Sequence, residues 1–234
     1  AEHYSAGCGS AMSAKNVLLV EGESDRGFFE DLCKLWGVSV QPIAVRTPRD
    51  AGHVKDTKQA AFDVLEKTYL PQLADGQIER LAIAVDADQH ANGGGFARTR
   101  DQLTQRLTLA GYHLRAGSGA GGFLFGHSDG LNDLGAWLMP NNADDGMLED
   151  WIQLNLHPGE AALMQHAKSS IDQIPGGPKF KPLRRSKAEV ATWLAWQSEP
   201  DHGLWQAAKP DLLDDSAPQL QALKTWLMRV FPAN

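Results

Sequence analysis

Two apolar runs of strand length constrain this chain more than any other feature: "NVLLV" at 16–20 and "LAIAV" at 81–85. Neither alternates apolar with polar residues, so each reads as a strand buried on both faces, the pattern of a parallel sheet covered by helices. Helical sequence follows each run. "ESDRGFFEDLCKLWG" sets Phe28, Phe29, Leu32, Cys33, Leu35 and Trp36 on one broad helical face and stops at Gly37. "VSVQPIAV" reads as the next strand, and His53 to Tyr69 as a helix carrying Ala60, Ala61, Val64 and Leu65. Arg98 to Ala110 is the helix after the third strand. "LGAWLMP", Leu134 to Pro140, is a further strand, with a helix in "GMLEDWIQLNL" behind it. This alternation predicts an α/β fold: a mostly parallel, Rossmann-like sheet with helices on both faces. The glycine tract from Gly117 to Gly126 reads as a loop or hairpin, flexible and near the active face. Strand signals stop near Pro158. Helical segments at 161–171, 186–196 and 218–231 then predict a C-terminal extension packed on the sheet. The expected division is a leader at 1–13, with Met12 resembling a natural start, an α/β domain at 14–156 and a helical extension at 157–234.

Composition narrows the function. The longest apolar stretches fall well short of the roughly 20 residues of a membrane span, so no membrane protein is expected. Cys8 lies in a Gly/Ser-rich leader and Cys33 on a core-facing helix, an arrangement that fits a reduced cytoplasm. A formal net charge of −7 argues against general coating of a phosphate backbone. Nucleic acid would have to bind locally. The best local footprint is "PKFKPLRRSK", where Lys179, Lys181, Arg184, Arg185 and Lys187 cluster with Phe180, a stretch that equally reads as a solvated loop before a helix.

The acids at the strand ends carry the chemistry. In parallel sheets functional groups gather beyond the carboxyl ends of the strands. Glu21 sits at one such end, and Asp86 and Asp88 at another. If the two strands are neighbours, the three side chains converge; in continued extended geometry Asp86 and Asp88 point the same way and Ala87 faces away. Hard oxygen ligands aimed at one point describe a Mg²⁺ or Mn²⁺ site. Taken singly, each acid has a plainer reading, Ser24 or Asp25 as a helix cap and Asp88 as the start of a polar turn.

A strand closing in Glu21-Gly22 with a helix behind it, followed about 65 residues later by a strand closing in Asp86-x-Asp88, resembles the Toprim domain of topoisomerases, primases, RNase M5-like maturases and OLD-family nucleases. The extended form "VEGESDRGFF" is most similar to the OLD-type and small stand-alone bacterial branch, in which the acid four residues after the glutamate, here Asp25, belongs to the site. The resemblance covers about residues 15–155. It implies metal-assisted phosphodiester chemistry, with Glu21 as general acid or base or as a ligand, and Asp86 and Asp88 holding Mg²⁺. A nuclease is the expected activity. OLD-type enzymes also carry an ATPase domain; no G-x-x-x-x-G-K-[ST] motif occurs here, so that partner is expected as a separate chain. The resemblance further implies a second carboxylate cluster and a lysine steadying the transition state. Glu149 and Asp150 are the candidates for the first, Glu149 ahead of Asp150, alongside a plain reading of both as first-turn helix acids with Asp144 or Asp145 as cap. Lys179 or Lys181 is the candidate for the lysine.

Rivals come from other classes. A HAD-type phosphatase also has Asp-x-Asp after an apolar strand, with the first Asp, here Asp86, as nucleophile, though that motif belongs early in a chain and is followed by Thr or Val rather than Gln89. A non-catalytic Toprim-like module that binds nucleic acid or a partner is the other. Trp193 and Trp196 read as core, and Glu160 as a surface helix position.

Overall fold

The computed structural model describes residues 15–45 and 57–233. The two apolar runs form strands β1 (Asn16–Val20) and β3 (Arg80–Asp86), side by side and parallel, with Val20 opposite Ala84. Between them come α1 (Glu23–Trp36), β2 (Gln41–Ala44), α2 (Thr57–Val64), a π turn at Leu65–Tyr69 and α3 (Leu70–Ala74). After β3 follow α4 (Phe96–Leu109), β4 (Tyr112–Leu114), β5 (Phe123–His127), β6 (Leu134–Met139) and α5 (Leu148–Leu154). Three longer helices close the chain: α6 (Ala161–Asp172), α7 (Arg185–Leu194) and α8 (Pro218–Val230). The six strands lie in the order β2-β1-β3-β6-β5-β4. The first four run parallel, and β5 and β4 form an antiparallel hairpin at one edge.

Both sides of the sheet are sealed, which is why its strands carry no polar alternation. Leu18, Val20, Ala82, Ala84, Trp137 and Met139 face a core closed by α1, α5 and the helices after residue 157, including Trp193, Leu223 and Trp226. Val17, Leu19, Leu81, Ile83, Val85 and Leu138 face the other core, closed by α2 through α4. The helices after residue 157 thus share one apolar core with the sheet, and each fully buried Leu or Phe in it contributes about 1.5–3 kcal/mol. Among the described residues no helix is long and apolar enough to cross a membrane.

Several local expectations shift. The second strand is shorter than 38–45, because Val38 is drawn into the cap of α1, its N–H donating to the Cys33 carbonyl at 2.9 Å. Leu35 is 46% exposed, beyond the edge of the buried stripe that holds Phe28, Phe29, Leu32, Cys33 and Trp36. The start of the expected helix at His53 lies outside the described residues. The glycine tract is the loop of the β4–β5 hairpin and all of β5 except His127; it is open around Gly117, Gly119 and Gly121 and packed at Gly122. Gly122 has φ +92°, and a Cβ there would stand 2.1 Å from the Trp226 ring.

Topology sets the site. β1 sends its chain to α1 on one face while β3 sends its chain to α4 on the other. A sheet whose neighbouring strands lead to opposite faces opens a crevice at their carboxyl ends.

Candidate active site

Glu21 leaves the end of β1 and Asp86 is the last residue of β3. The Asp86 backbone N–H donates to Glu21 Oε1 at 3.0 Å, and the Thr57 hydroxyl at the start of α2 donates to Oε2 at 2.9 Å. Asp86 Oδ1 accepts the N–H of Leu148, the first residue of α5, at 2.9 Å. Asp25, in the first turn of α1, takes the backbone N–H of Gly22 back onto its carboxylate. These acids border a cleft of 560 Å³, whose rim carries Lys58, Arg98, Arg184 and Lys187.

Asp88 does not extend the strand. β3 ends at Asp86, Ala87 is fully buried, and Asp88 adopts φ +61°. Its N–H donates to the Gly146 carbonyl at 2.7 Å and its carbonyl accepts the Gly146 N–H at 3.1 Å. The parallel pair of aspartates expected from extended geometry is therefore absent; the backbone turns to pair with the loop before α5. Asp88 Oδ2 meets the Lys58 ammonium at 2.5 Å. Gly94 permits the turn, since a Cβ there would stand 2.7 Å from Asp88 Cβ.

Glu149 is buried and held by Lys187 Nζ at 3.0 and 3.2 Å. Asp150 is a structural acid: it accepts the Met147 N–H at 2.9 Å and the Ser186 hydroxyl, so it caps its own helix. Asp145 instead accepts the N–H of Phe96 at 2.7 Å and of His90 at 2.9 Å, capping α4 across the loop. These backbone donors hold the Asp145 carboxyl below its ordinary value.

The basic stretch divides. Arg184 and Lys187 line the cleft, whereas Lys179 and Lys181 do not. Arg185 is committed to Asp172 at 2.7 Å and Glu189 at 2.6 Å. The cations over the acids are thus Lys187 and Lys58 rather than Lys179 or Lys181. Lys58 escaped the reading of the sequence, although a signal exists: it falls three, four and seven residues before Ala61, Phe62 and Leu65, in phase with a buried stripe. Trp193 is core, but Trp196 is 42% exposed, with its ring centroid 5.1 Å from that of His166. Glu160 is not a free surface acid, since it accepts Trp193 Nε1 at 2.8 Å and Gln197 Nε2 at 2.7 Å.

The electrostatics follow from crowding like charges away from water. Burial pushes the Glu21 carboxyl up to about 7, Asp88 and Asp25 adding to the rise and Lys58 opposing it. Burial likewise raises Asp25 to about 6, with Glu149 adding and Lys187 opposing. Asp86 is driven well above the usual carboxylate range by burial and then by Glu21, Asp25 and Glu149. Burial of Lys187 works against its charge, but Glu149, Asp86 and Asp25 prevail and raise its ammonium.

The donor set suits a hard divalent cation. Glu21, Asp25, Asp86, Asp88 and Glu149 outnumber Lys58 and Lys187 by three charges when all are ionised, a deficit that protons or cations must fill. Among the described residues no three acids, histidines or cysteines already converge in ligating geometry. Mg²⁺ does not demand that: it keeps several waters and is held through one or two carboxylates. The Lys187 ammonium on Glu149 stands where a cation is favoured.

Neither a curated protein nor a solved structure matches the chain. The family model "Protein of unknown function (DUF3226)" matches residues 15–232, spanning both the sheet and the helices that follow, and the chain therefore belongs to the DUF3226 family.

Proposed function

We propose that the protein is a divalent-metal-dependent phosphodiesterase of Toprim type that cuts nucleic acid. One observation carries the reading: the hydrogen bond from Asp86 N–H to Glu21 Oε1 unites the acidic ends of two parallel strands in a cleft rimmed by lysine and arginine. Asp25, Asp86 and Glu149 would hold Mg²⁺ or Mn²⁺, which when bound supplies charge neutralisation at the scissile phosphate. Glu21 is the proton acceptor for the attacking water. In the metal-free site burial raises its carboxyl to about 7, and a cation held beside it would favour the ionised, proton-accepting form. Thr57 and the Asp86 N–H fix both of its oxygens, so the base does not reorient during the reaction. Arg98 and Arg184 on the rim supply the cations that a phosphodiester backbone needs for local binding. A separate ATPase chain remains part of the proposal as a partner. Asp86 as a phosphatase nucleophile is disfavoured, because the Asp-x-Asp here ends the third strand and is followed by Gln89.

The test is cleavage of a mixed panel of single- and double-stranded DNA and RNA in Mg²⁺, Mn²⁺ and Co²⁺, with and without ATP and candidate partner chains. Metal-dependent cutting by the wild type supports the reading. Metal-dependent binding without cutting under every condition assigns the site to a nucleic-acid-binding module instead.

A further inference from the structure

Two lysines reach the acidic edge from opposite faces of the sheet, and they are held in different ways. Lys58 stands on α2 and is 6% exposed. An ammonium has three N–H donors, and three acceptors surround this one: the Ala87 carbonyl at 3.1 Å, Thr99 Oγ1 at 3.2 Å and Asp88 Oδ2 at 2.5 Å. Thr99 Oγ1 itself donates to the Ala87 carbonyl at 3.1 Å, so the receptor for the ammonium is built into the junction of β3 and α4. Lys187 comes from α7 on the other face. Its side chain is 44% exposed and it grips a single carboxylate, Glu149.

We infer that Lys58 is a resident cation occupying the place of a second metal ion at Asp88, so that the site takes one divalent ion, beside Asp25, Asp86 and Glu149, with Glu21 left as the base. This rests on the metal-dependent reading above and goes beyond it: it gives the reason Asp88 is no ligand, and it fixes the number of ions.

Charge and access give the reason. A metal at Asp88 would sit against an ammonium that has nowhere to retreat, because α2 and α4 enclose it and every donor is engaged. The Asp88 side chain is 45% exposed, yet repulsion from an ammonium held 2.5 Å from one of its oxygens exceeds what the other oxygen returns. Lys187 has the opposite freedom. An ion entering beside Glu149 and Asp86 displaces an ammonium whose stem already lies at the rim, where it can turn to a phosphate oxygen of the substrate. With Lys187 withdrawn, the ion is held through one or two of Asp25, Asp86 and Glu149 and keeps water at its other positions.

The experiment counts Mn²⁺ on the full chain by calorimetry, with free ion followed by its paramagnetic resonance signal. Wild type is expected to bind one ion. Asp88→Asn should keep that ion with Kd within about threefold, a small change on the affinity scale. Glu149→Gln should weaken it at least roughly tenfold. Lys58→Met should free Asp88 and admit a second, weaker ion; if that variant does not fold, the Asp88→Asn titration decides. Two ions in the wild type, loss of the ion in a folded Asp88→Asn, or a folded Lys58→Met that still takes one ion overturns the inference. Those results would leave the nuclease reading standing if Mn²⁺-dependent cleavage persists, whereas a wild type that binds no Mn²⁺ overturns both.

Discussion

Glu21 and Asp86 are joined by a backbone-to-carboxylate hydrogen bond of 3.0 Å that spans the mouths of two adjacent parallel strands. The bond constrains the glutamate through the sheet itself. A change at Glu21 that keeps an oxygen at this point keeps the bond.

Glu21→Gln preserves that oxygen and removes the charge and the proton affinity. Its melting temperature should therefore stay at or above that of the wild type, while cleavage should fall at least roughly 10²-fold, the lower range for loss of a general base. Asp101→Asn, a 67% exposed acid away from the cleft, is the control and should cut as wild type does. A Glu21→Gln variant that cuts normally would place the activity at another site.

Stability should depend on pH in a direction set by the same acids. The Glu21 carboxyl rises from 4.5 to about 7 on folding, so between these values the folded chain holds more proton than the unfolded one. Stability from this group is then full below about 4.5 and is lost as pH rises through about 7. Thermal melts without metal should show Glu21→Gln gaining on the wild type between pH 5 and 8, by roughly 3 °C or more for a chain of this size. Mg²⁺ should raise the wild-type midpoint at pH 8 and do little at pH 5, where Glu21, Asp25 and Asp86 already hold protons. Parallel pH curves for the two proteins would remove this account of the acids.

Nucleic-acid affinity should follow the cleft rather than the basic stretch as a whole. Arg184→Ala and Arg98→Ala should each weaken binding and lower the salt slope of log Kobs by roughly one unit, the share of one phosphate contact. Lys179→Ala should change the slope less, because that lysine lies outside the cleft. Arg185→Ala should act on the melting temperature instead, since it leaves the buried Glu189 without its 2.6 Å partner. Fluorescence anisotropy across a salt series separates these cases. Equal slopes for the four variants would spread the interface over the whole stretch.

The glycine tract should behave as packing at Gly122. Gly122→Ala puts a methyl into the Trp226 ring at a backbone angle that disfavours any side chain, and it should cost more than about 2 kcal/mol. Urea denaturation measures this. A loss under about 0.5 kcal/mol, the range of an unconstrained surface site, would make the tract a free loop after all.

Sequence by itself determined the four parallel strands of the sheet and the acids at the ends of two of them, but not the antiparallel β5–β4 edge. Unbroken apolar runs have no wet face to offer, so β1 and β3 had to be buried on both sides, and Glu21 and Asp86 had to emerge at their ends. It also marked Cys33 and Trp193 as core through helical periodicity. What it left open depends on contacts between distant segments, which carry no local pattern. The left-handed turn at Asp88 exists because residues 88 and 146 pair across the loop, and extended geometry could not foresee it. Lys58 became a site residue only when α2 and β3 met, for a lysine in phase with alanines looks like a misplaced surface charge until an aspartate and a carbonyl are found waiting for it. Glu149 and Lys187, 38 residues apart, read separately, one as a candidate ligand or first-turn acid and the other as part of the basic footprint; packing of α7 against α5 paired them beside Asp86, the glutamate buried and the lysine half exposed. Local propensity fixed the elements and the acids that end them, whereas the cations that balance those acids were decided by tertiary packing, because charge neutralisation is settled by whichever chain segments the two cores bring to the crevice.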